Sequence, residues 1–310
     1  MKSLLRRPWF GPLVALALVY VLFAFLAPDT FTGTVNLSTM ARQTAVVAIT
    51  SLGMTFVILL GGIDLSVGSG VALTGVVVAR ALQSGMGAWS AALLGLVAST
   101  ATGVVNGVLT ARGKITPFIV TLGTMSVLRG VAKGLAGEQK IDAEPRGLEH
   151  LMGAGAATAL PAGVWLAVVL AVVAALVLEI TVFGRHVVAI GSNSSTARLC
   201  GVPVERVTIA VYALAAALTG VAGVLEFSTL TVGDPTDSLG LELEAIAAVV
   251  IGGGSLAGGQ GSIAGAMIGA LLMTVIKTGC THVGVPNWVQ EISTGVIIVV
   301  AVGIDRLRRR

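Results

Sequence analysis

Long apolar segments recur along almost the whole chain and are separated by short polar stretches. A helix needs about 20 mostly apolar residues to cross the roughly 30 Å hydrocarbon layer of a bilayer. The segments are continuous rather than alternating, which argues against a transmembrane β-barrel. The pattern therefore predicts an all-α polytopic membrane protein with about ten transmembrane helices. The predicted spans are residues 9–27, 43–60, 66–82, 89–110, 116–134, 161–181, 207–228, 241–254, 262–279 and 288–304.

The composition agrees with a membrane protein and excludes several other classes. Hydrophobic residues make up 55% of the 310 positions and charged residues 11%, whereas soluble domains carry about 25% charged residues. A soluble fold this apolar could not cover its surface with polar groups. The same numbers exclude a disordered chain and a secreted disulfide scaffold.

The basic residues orient the predicted helices. With a cytoplasmic N-terminus and an even number of spans, both termini lie in the cytoplasm, as the positive-inside rule requires. The first 27 residues resemble a signal peptide, but the apolar run is long and lacks an A-x-A site, so we expect a retained helix. The net charge of +4 then reflects orientation, and no nucleic-acid partner is expected. The predicted inner segments contain Lys2, Arg6, Arg7, Arg112, Lys114, Arg185, Arg198, Arg206, Arg306, Arg308, Arg309 and Arg310.

Only two polar segments are long. Residues 135–160 form an acidic periplasmic loop and residues 182–206 a cytoplasmic loop, so residues 1–310 are predicted to be a single transmembrane domain. Such a chain has no room for a soluble catalytic domain, and energised transport would need a second subunit or an ion gradient. Cys200 and Cys280 fall on opposite sides of the membrane and lack metal-ligand spacing, so neither a disulfide nor a metal site is expected.

Two of the glycine clusters interrupt apolar spans and are candidate helix breaks. They contain Gly61, Gly62 and Gly68 in the first half, and Gly252, Gly253 and Gly254 in the second. Aligning Gly61-Gly62 with Gly252-Gly253, at an offset of 191, also matches Leu65 to Leu256 and Gly68 to Gly259. This echo predicts a parallel internal repeat, as in several transporter folds. Non-helical backbone at membrane depth must be buried in protein or line a polar cavity.

Asp64 is the acidic residue that draws attention in the first break. An ionisable residue near a membrane helix is a functional candidate by default. The alternative is that Asp64 or Ser66 caps the helix that follows, which would satisfy its free N–H groups.

Neutral polar residues inside the spans are candidates for a solute path. A polyol needs hydroxyl and amide partners rather than a charged pocket, and the polar residues predicted inside spans are mostly of this kind. The alternative for each is a hydrogen bond to its own backbone or to a neighbouring helix. The candidate path residues are Asp64, Ser66, Asn106, Thr121 and Thr124.

Four stretches together resemble the permease subunits of bacterial sugar ABC importers, the group that contains ribose, xylose and arabinose permeases. The resemblance covers about residues 35–305. The first stretch is the most specific, and the others are strong in combination. The stretches are GGIDLSVGS at 61–69, PFIVTLGTM at 117–125 with Arg129-Gly130, FGRH at 183–186 with Ala189-Ile190-Gly191, and IGGGSLAGG at 251–259.

The resemblance implies partners, a location and a helix that couples the chain to its ATPase. A second copy of the chain, a cytoplasmic ABC ATPase with two nucleotide-binding domains and a periplasmic sugar-binding protein would assemble in the bacterial inner membrane. The ATPase would use ATP and magnesium, and this chain would bind no cofactor. A short cytoplasmic helix would dock on the ATPase, although acidic residues common in the family are replaced here by residues 194–197. The implied coupling residues are Ser192, Asn193, Ala197, Arg198, Leu199, Gly201, Val202 and Pro203.

Other interpretations remain beside this one. The coupling segment has a simpler alternative, an ordinary cytoplasmic loop that is positive for topology. An ion-coupled secondary transporter or channel for a small polar solute would need paired intramembrane charges, which are scarce. An intramembrane enzyme would need a catalytic dyad or a metal triad, and His150, His186 and His282 fall in loops or at span ends. Residues 256–260 look like an ABC ATPase signature, but no P-loop accompanies them, so no ATP hydrolysis is expected.

Overall fold

The computed structural model of the protein describes residues 10–153 and 160–308. Lys2, Arg6, Arg7, Arg309 and Arg310, which contribute to the predicted orientation, lie outside this part of the chain. Within it the fold is helical apart from two short strands and one 3-10 helix, Leu148–Leu151. The elements are α1 Phe10–Leu26, α2 Pro28–Phe31, α3 Thr34–Leu59, α4 Val67–Gln83, α5 Ala88–Ala111, α6 Pro117–Ala136, β1 Ile141–Asp142, α7 Ala162–Ile180, α8 Val182–Ser192, α9 Ser194–Leu199, α10 Val204–Leu230, β2 Val232–Gly233, α11 Leu241–Ile251, α12 Ile263–His282 and α13 Asn287–Arg308.

Every predicted span coincides with a helix of the structure. Among the described residues, α3, α5, α6, α7, α10 and α12 are long and apolar enough to cross a membrane, and three shorter apolar helices lie in α1, α4 and α13. The remaining predicted span, 241–254, contains α11, which has only 11 residues. Such a helix rises about 16 Å at 1.5 Å per residue, roughly half the hydrocarbon thickness. The count of ten spans stays a prediction.

The bundle packs around α10, which lies against α3, α4 and α5. Small residues allow the close approach that helices in lipid rely on. A side chain at Gly107 of α5 would lie 2.7 Å from the Cα of Ile209, and one at Gly53 of α3 would lie 2.9 Å from the Cα of Ala215. Both contacts are backbone contacts that could not yield, so these glycines set the distance between the helices.

Helices α3 and α11 end in the same glycine cap. Gly61 has a φ of +89° and Gly253 a φ of +91°, a region that glycine adopts without steric cost. Gly62 donates its N–H to the Val57 carbonyl at 2.9 Å, as Gly254 does to Val249 at 2.8 Å. These bonds satisfy carbonyls left free at a helix end. The two positive-φ glycines are 192 residues apart, one more than the offset at which the sequences align.

The segment predicted as the acidic loop, 135–160, is tied to the bundle, and its residues 154–159 lie outside the described part. Strand β1 pairs antiparallel with β2, with Ile141 opposite Gly233. The hydroxyl of Ser228, on α10, donates to the Leu148 carbonyl at 2.6 Å and accepts from the Met152 N–H at 3.0 Å.

The stretch predicted as a cytoplasmic loop, 182–206, is mostly helical. The N-cap of helix α8 is Thr181, whose hydroxyl accepts from the Gly184 N–H at 3.2 Å. Gly184, Val187 and Ile190 form its buried stripe. This helix was not predicted from the sequence, because its 11 residues are too few and too polar for a membrane span.

Candidate coupling segment and solute path

The segment implied to couple the chain to an ATPase is a capped short helix with a glycine stop. The Asn193 side chain accepts from the Thr196 N–H at 2.9 Å, as expected of an N-cap. After α9, Gly201 has a φ of +83°, and Val202 donates its N–H to the Ala197 carbonyl at 3.0 Å. These bonds close the last turn and fix the chain before Pro203.

Helix α9 is anchored on one side and exposed on the other. Ala197 is buried against the bundle, whereas Leu199 is 89% exposed. An apolar side chain this exposed, next to a cation, suits docking into a partner. Of the other implied coupling residues Val202 is half-buried, and the rest are exposed, namely Ser192, Asn193, Arg198, Gly201 and Pro203.

The C-terminal end of α8 lies against both glycine breaks. A side chain at Gly191 would collide with the Leu59 carbonyl oxygen and lie 2.7 Å from the Gly259 nitrogen. A side chain at Gly258 would lie 2.6 Å from the Gly191 carbonyl oxygen. The break after α3, the break after α11 and the end of α8 therefore meet in one place, which we call the glycine junction. Nothing in the sequence indicated that the two breaks and the end of α8 would meet.

The predicted path residues form a hydrogen-bonded network. Asp64 accepts from both the N–H and the hydroxyl of Ser66. The Asn106 amide donates to the Ser66 hydroxyl at 3.1 Å, and its oxygen accepts from Thr124 at 2.6 Å. Thr121 donates to the Ile63 carbonyl at 3.1 Å. The structure thus brings all five predicted residues together, with their side chains bonded to one another or to the break.

Of the alternative that Asp64 or Ser66 caps α4, the part that concerns the Ser66 side chain is wrong. Ser66 occupies the N-cap position, but its side chain makes no capping hydrogen bond. Its hydroxyl is instead engaged by Asp64 and Asn106. Asp64 does accept the Ser66 N–H at 2.8 Å, so the carboxylate stabilises the turn that leads into the helix. The role of the five residues in a solute path stays a prediction.

Two cavities lie at the opposite end of the bundle from α9. The smaller has a volume of about 240 Å³ and is lined by polar residues that include Gln43, Glu226, Thr274 and Lys277. The larger, of about 590 Å³, lies between α11, α12 and α13. None of the five network residues lines either cavity. The cavities were not predicted from the sequence, since they arise from helices that are distant in sequence.

Arg129, on α6, holds the segment between β2 and α11. One guanidinium nitrogen donates to the carbonyls of Pro235, at 2.9 Å, and Asp237, at 2.7 Å. At the start of the same segment Asp234 pairs with Lys140 at 3.1 Å. Partial burial alone would raise the pKa of Asp234, but its bonds to Thr236 and Lys140 outweigh burial and hold that pKa below its usual value.

Few of the described residues are candidates for metal binding or for redox chemistry. Among the side chains of residues 10–153 and 160–303, no three of His, Cys, Asp or Glu are grouped to hold a metal ion. Cys200 is exposed and Cys280 partly buried, and both are free thiols.

Known proteins to which the chain is similar are described as permeases. Residues 36–302 match the family described as the permease component of the branched-chain amino acid transport system. The chain is 39% identical over 300 residues to the ribose import permease protein RbsC of Escherichia coli K12, covering 96% of this chain and 93% of the relative. It is 37% identical to RbsC of Bacillus subtilis 168, covering 96% and 92%. It is 38% identical to the L-arabinose ABC transporter permease AraH of Azospirillum brasilense, covering 93% and 86%. No solved structure matches it significantly.

Proposed function

The chain belongs to the family of permease components of the branched-chain amino acid transport system, and on this premise we propose that it is the membrane subunit of an ATP-driven sugar importer. The solute is a monosaccharide such as ribose or a related pentose. The observation that carries the proposal is the similarity to ribose and arabinose permeases over nearly the whole chain.

The chain acts as a non-enzymatic transport subunit with three kinds of partner. A second copy of itself completes the translocation pathway, a cytoplasmic ABC ATPase with two nucleotide-binding domains supplies the energy, and a periplasmic binding protein delivers the sugar. ATP and magnesium are bound by the ATPase, and this chain binds no cofactor. The family resemblance supports these partners.

The proposed topology has ten spans with both termini in the cytoplasm, and two parallel halves. The distribution of basic residues supports the orientation. The matching glycine caps after α3 and α11 support the repeat. With this orientation, α9 and the glycine junction face the cytoplasm, and the two cavities lie in the outer part of the bundle.

Transport proceeds by alternating access. ATP binding draws the two nucleotide-binding domains together, and the ATPase moves α9 through a docking contact at Leu199 and Arg198. The displacement passes along α8 to the glycine junction, where the backbone of Gly191 lies against Leu59. Both helix breaks receive the movement at this point, since Gly259 is bonded to Leu59.

The hydrogen-bonded network of Asp64, Ser66, Asn106, Thr121 and Thr124 stands next to the first break. We propose that it lines the solute path when the break moves. Its hydroxyl and amide groups can exchange hydrogen bonds with a neutral polyol, as a sugar requires. In this conformation these groups are satisfied by one another and by main-chain carbonyls.

No comparable observation supports the alternative, which is an ion-coupled secondary transporter or channel. The relatives include an ABC transporter permease, and nothing on this chain favours the alternative.

Uptake in a reconstructed system tests the proposal. The chain is co-expressed with its partner ATPase and binding protein, in a bacterial host that lacks its own pentose uptake. We expect ATP-dependent accumulation of labelled D-ribose or L-arabinose that unlabelled pentose suppresses. No accumulation of either sugar from a correctly inserted complex would contradict the proposal.

A further inference from the structure

The smaller cavity is lined by helices from both halves of the chain. Gln43 comes from α3, Glu226 from α10, and Thr274 and Lys277 from α12, while Asp237 precedes α11. Its volume of about 240 Å³ lies just below the roughly 300–1,000 Å³ typical of sites for drug-sized ligands. The cavity therefore has room for a small solute, and most of its wall is polar.

Glu226 is the most informative residue of this cavity. It belongs to a helix that is long and apolar enough to span a membrane, and it makes no hydrogen bond or ion pair with another residue of the described chain. An ionisable side chain in a membrane span costs free energy. Such a residue is therefore a functional candidate by default. Hydroxyl groups of a solute would supply the missing donors.

The neighbouring groups complete a set suited to hydroxyl recognition. The Gln43 oxygen accepts from Thr278 at 3.2 Å, and its amide nitrogen makes no hydrogen bond within the described residues. Thr274 bonds only the carbonyl of Ala270 in its own helix, at 3.1 Å, so its oxygen can still accept. The cavity thus offers acceptors from Glu226 and Thr274 and a donor from Gln43.

An ion pair separates this cavity from the larger one. The Lys277 ammonium donates to the Glu244 carboxylate at 2.7 Å, and both residues line both cavities. The Glu244 side chain is 16% exposed, against 60% for Lys277. Because Lys277 is long and largely exposed, it can swing away without moving a helix, and the two cavities would then become continuous.

We propose that the smaller cavity is a transit site for a polyhydroxylated neutral solute, with the Glu244–Lys277 pair as its removable wall toward the larger cavity. The inference rests on the proposed function and names a site for it, distinct from the Asp64–Thr124 network. With Asp237 and Glu244 against a single Lys277 in its lining, the cavity disfavours anions. It therefore accepts a free sugar and rejects its phosphate ester.

Protection from thiol labelling tests occupancy directly. In the purified full-length chain carrying Cys200→Ser and Cys280→Ser, Thr274→Cys places a reporter in the cavity. We expect excess D-ribose to slow its reaction with a small water-soluble methanethiosulfonate by about threefold or more, and ribose 5-phosphate to have no effect. Thr281→Cys, an exposed position on the same helix, should react quickly and equally with and without sugar.

The wall is tested in the same background. Glu244→Gln removes the ion pair, and we expect it to speed labelling of Thr274→Cys about tenfold. Glu291→Gln is the matched control, because Glu291 lines only the larger cavity. Equal labelling rates in the two variants would overturn the wall.

Uptake measurements supply a second readout that does not depend on a cysteine. Losing a hydrogen bond to a charged group reduces binding by about tenfold or more, so we expect Glu226→Gln to lower D-ribose uptake to that extent. Thr274→Val should lower it about threefold. Thr219→Val is the matched control, since Thr219 is equally buried and bonds only Ala215 of its own helix, at 3.0 Å, away from the cavity.

The outcomes separate this inference from the proposed function. Sugar protection of Thr274→Cys without any uptake by the assembled wild-type complex would support the site and contradict the importer. Normal uptake by Glu226→Gln and Thr274→Val, with no sugar protection, would overturn the site and leave the importer standing. Protection by ribose 5-phosphate equal to that by D-ribose would overturn the proposed selectivity for neutral solutes.

Discussion

The main-chain N–H of Gly259 donates a hydrogen bond to the carbonyl oxygen of Leu59 at 2.9 Å. Leu59 is the last residue of α3, so its carbonyl is one of those that a helix leaves without an internal partner. The bond joins two glycine-rich breaks that are about two hundred residues apart in sequence. Because Gly191 lies directly against both partners, the end of α8 cannot shift without disturbing the link.

We expect Gly191→Ala to damage the glycine junction. A methyl group there would collide with the Leu59 carbonyl oxygen, and overpacking of this kind costs about 1–3 kcal/mol. The variant should show a lower Tm in detergent and slower sugar uptake. Gly134→Ala is the control, because no atom lies within 4 Å of the added Cβ. Equal Tm values for the two variants would contradict the described packing.

Substitution of Leu199 should separate coupling from folding. Leu199 is 89% exposed, so Leu199→Glu leaves the packing of the bundle unchanged while it places a charge on the proposed docking surface. We expect uptake to fall about tenfold or more, as for loss of a buried interface anchor, with unchanged Tm and membrane insertion. The neighbouring Cys200→Ser should behave as wild type. Unimpaired uptake by Leu199→Glu would argue that α9 does not dock on the ATPase.

Asn106 is predicted to stabilise the first break. It bonds Ser66 and Thr124 at the same time, and hydrogen bonds between membrane helices contribute about 0.6–1.7 kcal/mol each. Asn106→Leu, which keeps the volume, should therefore lower the free energy of unfolding by about 1–2 kcal/mol. Thr50→Val is the control, since Thr50 bonds only carbonyls of its own helix.

The KM for uptake distinguishes the two roles of the Asn106 network. If the network also lines the solute path, Asn106→Leu should raise the KM for D-ribose in the fraction that folds. An unchanged Tm together with an unchanged KM would contradict both roles.

Arg129→Ala should release the segment between β2 and α11. Its guanidinium donates to two carbonyls of that segment, and hydrogen bonds to charged groups are each worth about 1.5–3 kcal/mol. We expect faster proteolysis between residues 234 and 240 and a lower Tm. Lys133→Ala, an exposed change one turn further along α6, should alter neither. Matching digestion patterns in the two variants would show that the two bonds do not hold the segment.

Local signals predicted much of this fold. Apolar run length located every long helix, because burial in lipid imposes the same requirement on each span. The cap of α9 at Asn193 and its end at Gly201 likewise depend on neighbouring residues only. The helix breaks at Gly61 and Gly253 were predicted from the sequence for the same reason. The two positive-φ glycines are, however, one residue further apart than the offset at which the sequences align.

What escaped prediction depends on contacts between distant segments. Nothing in the sequence near Gly191 indicates that it meets Leu59 and Gly259, since glycines in membrane helices have many packing roles. Nothing in the sequence near Glu226 or Lys277 indicates that they share a cavity, which appears only when α10 and α12 are placed side by side. Arg129 could equally extend toward the outer surface, and only the position of the Pro235 carbonyl decides between the two.

Solute flux through liposomes shows whether the chain moves sugar only together with its partners. The purified chain is reconstituted either alone or with its ATPase, its binding protein, ATP and magnesium, and entry of labelled D-ribose is followed. The account predicts entry only in the complete system, with no entry when ATP is replaced by a non-hydrolysable analogue. Movement of ribose by the chain alone, in either direction, would contradict it.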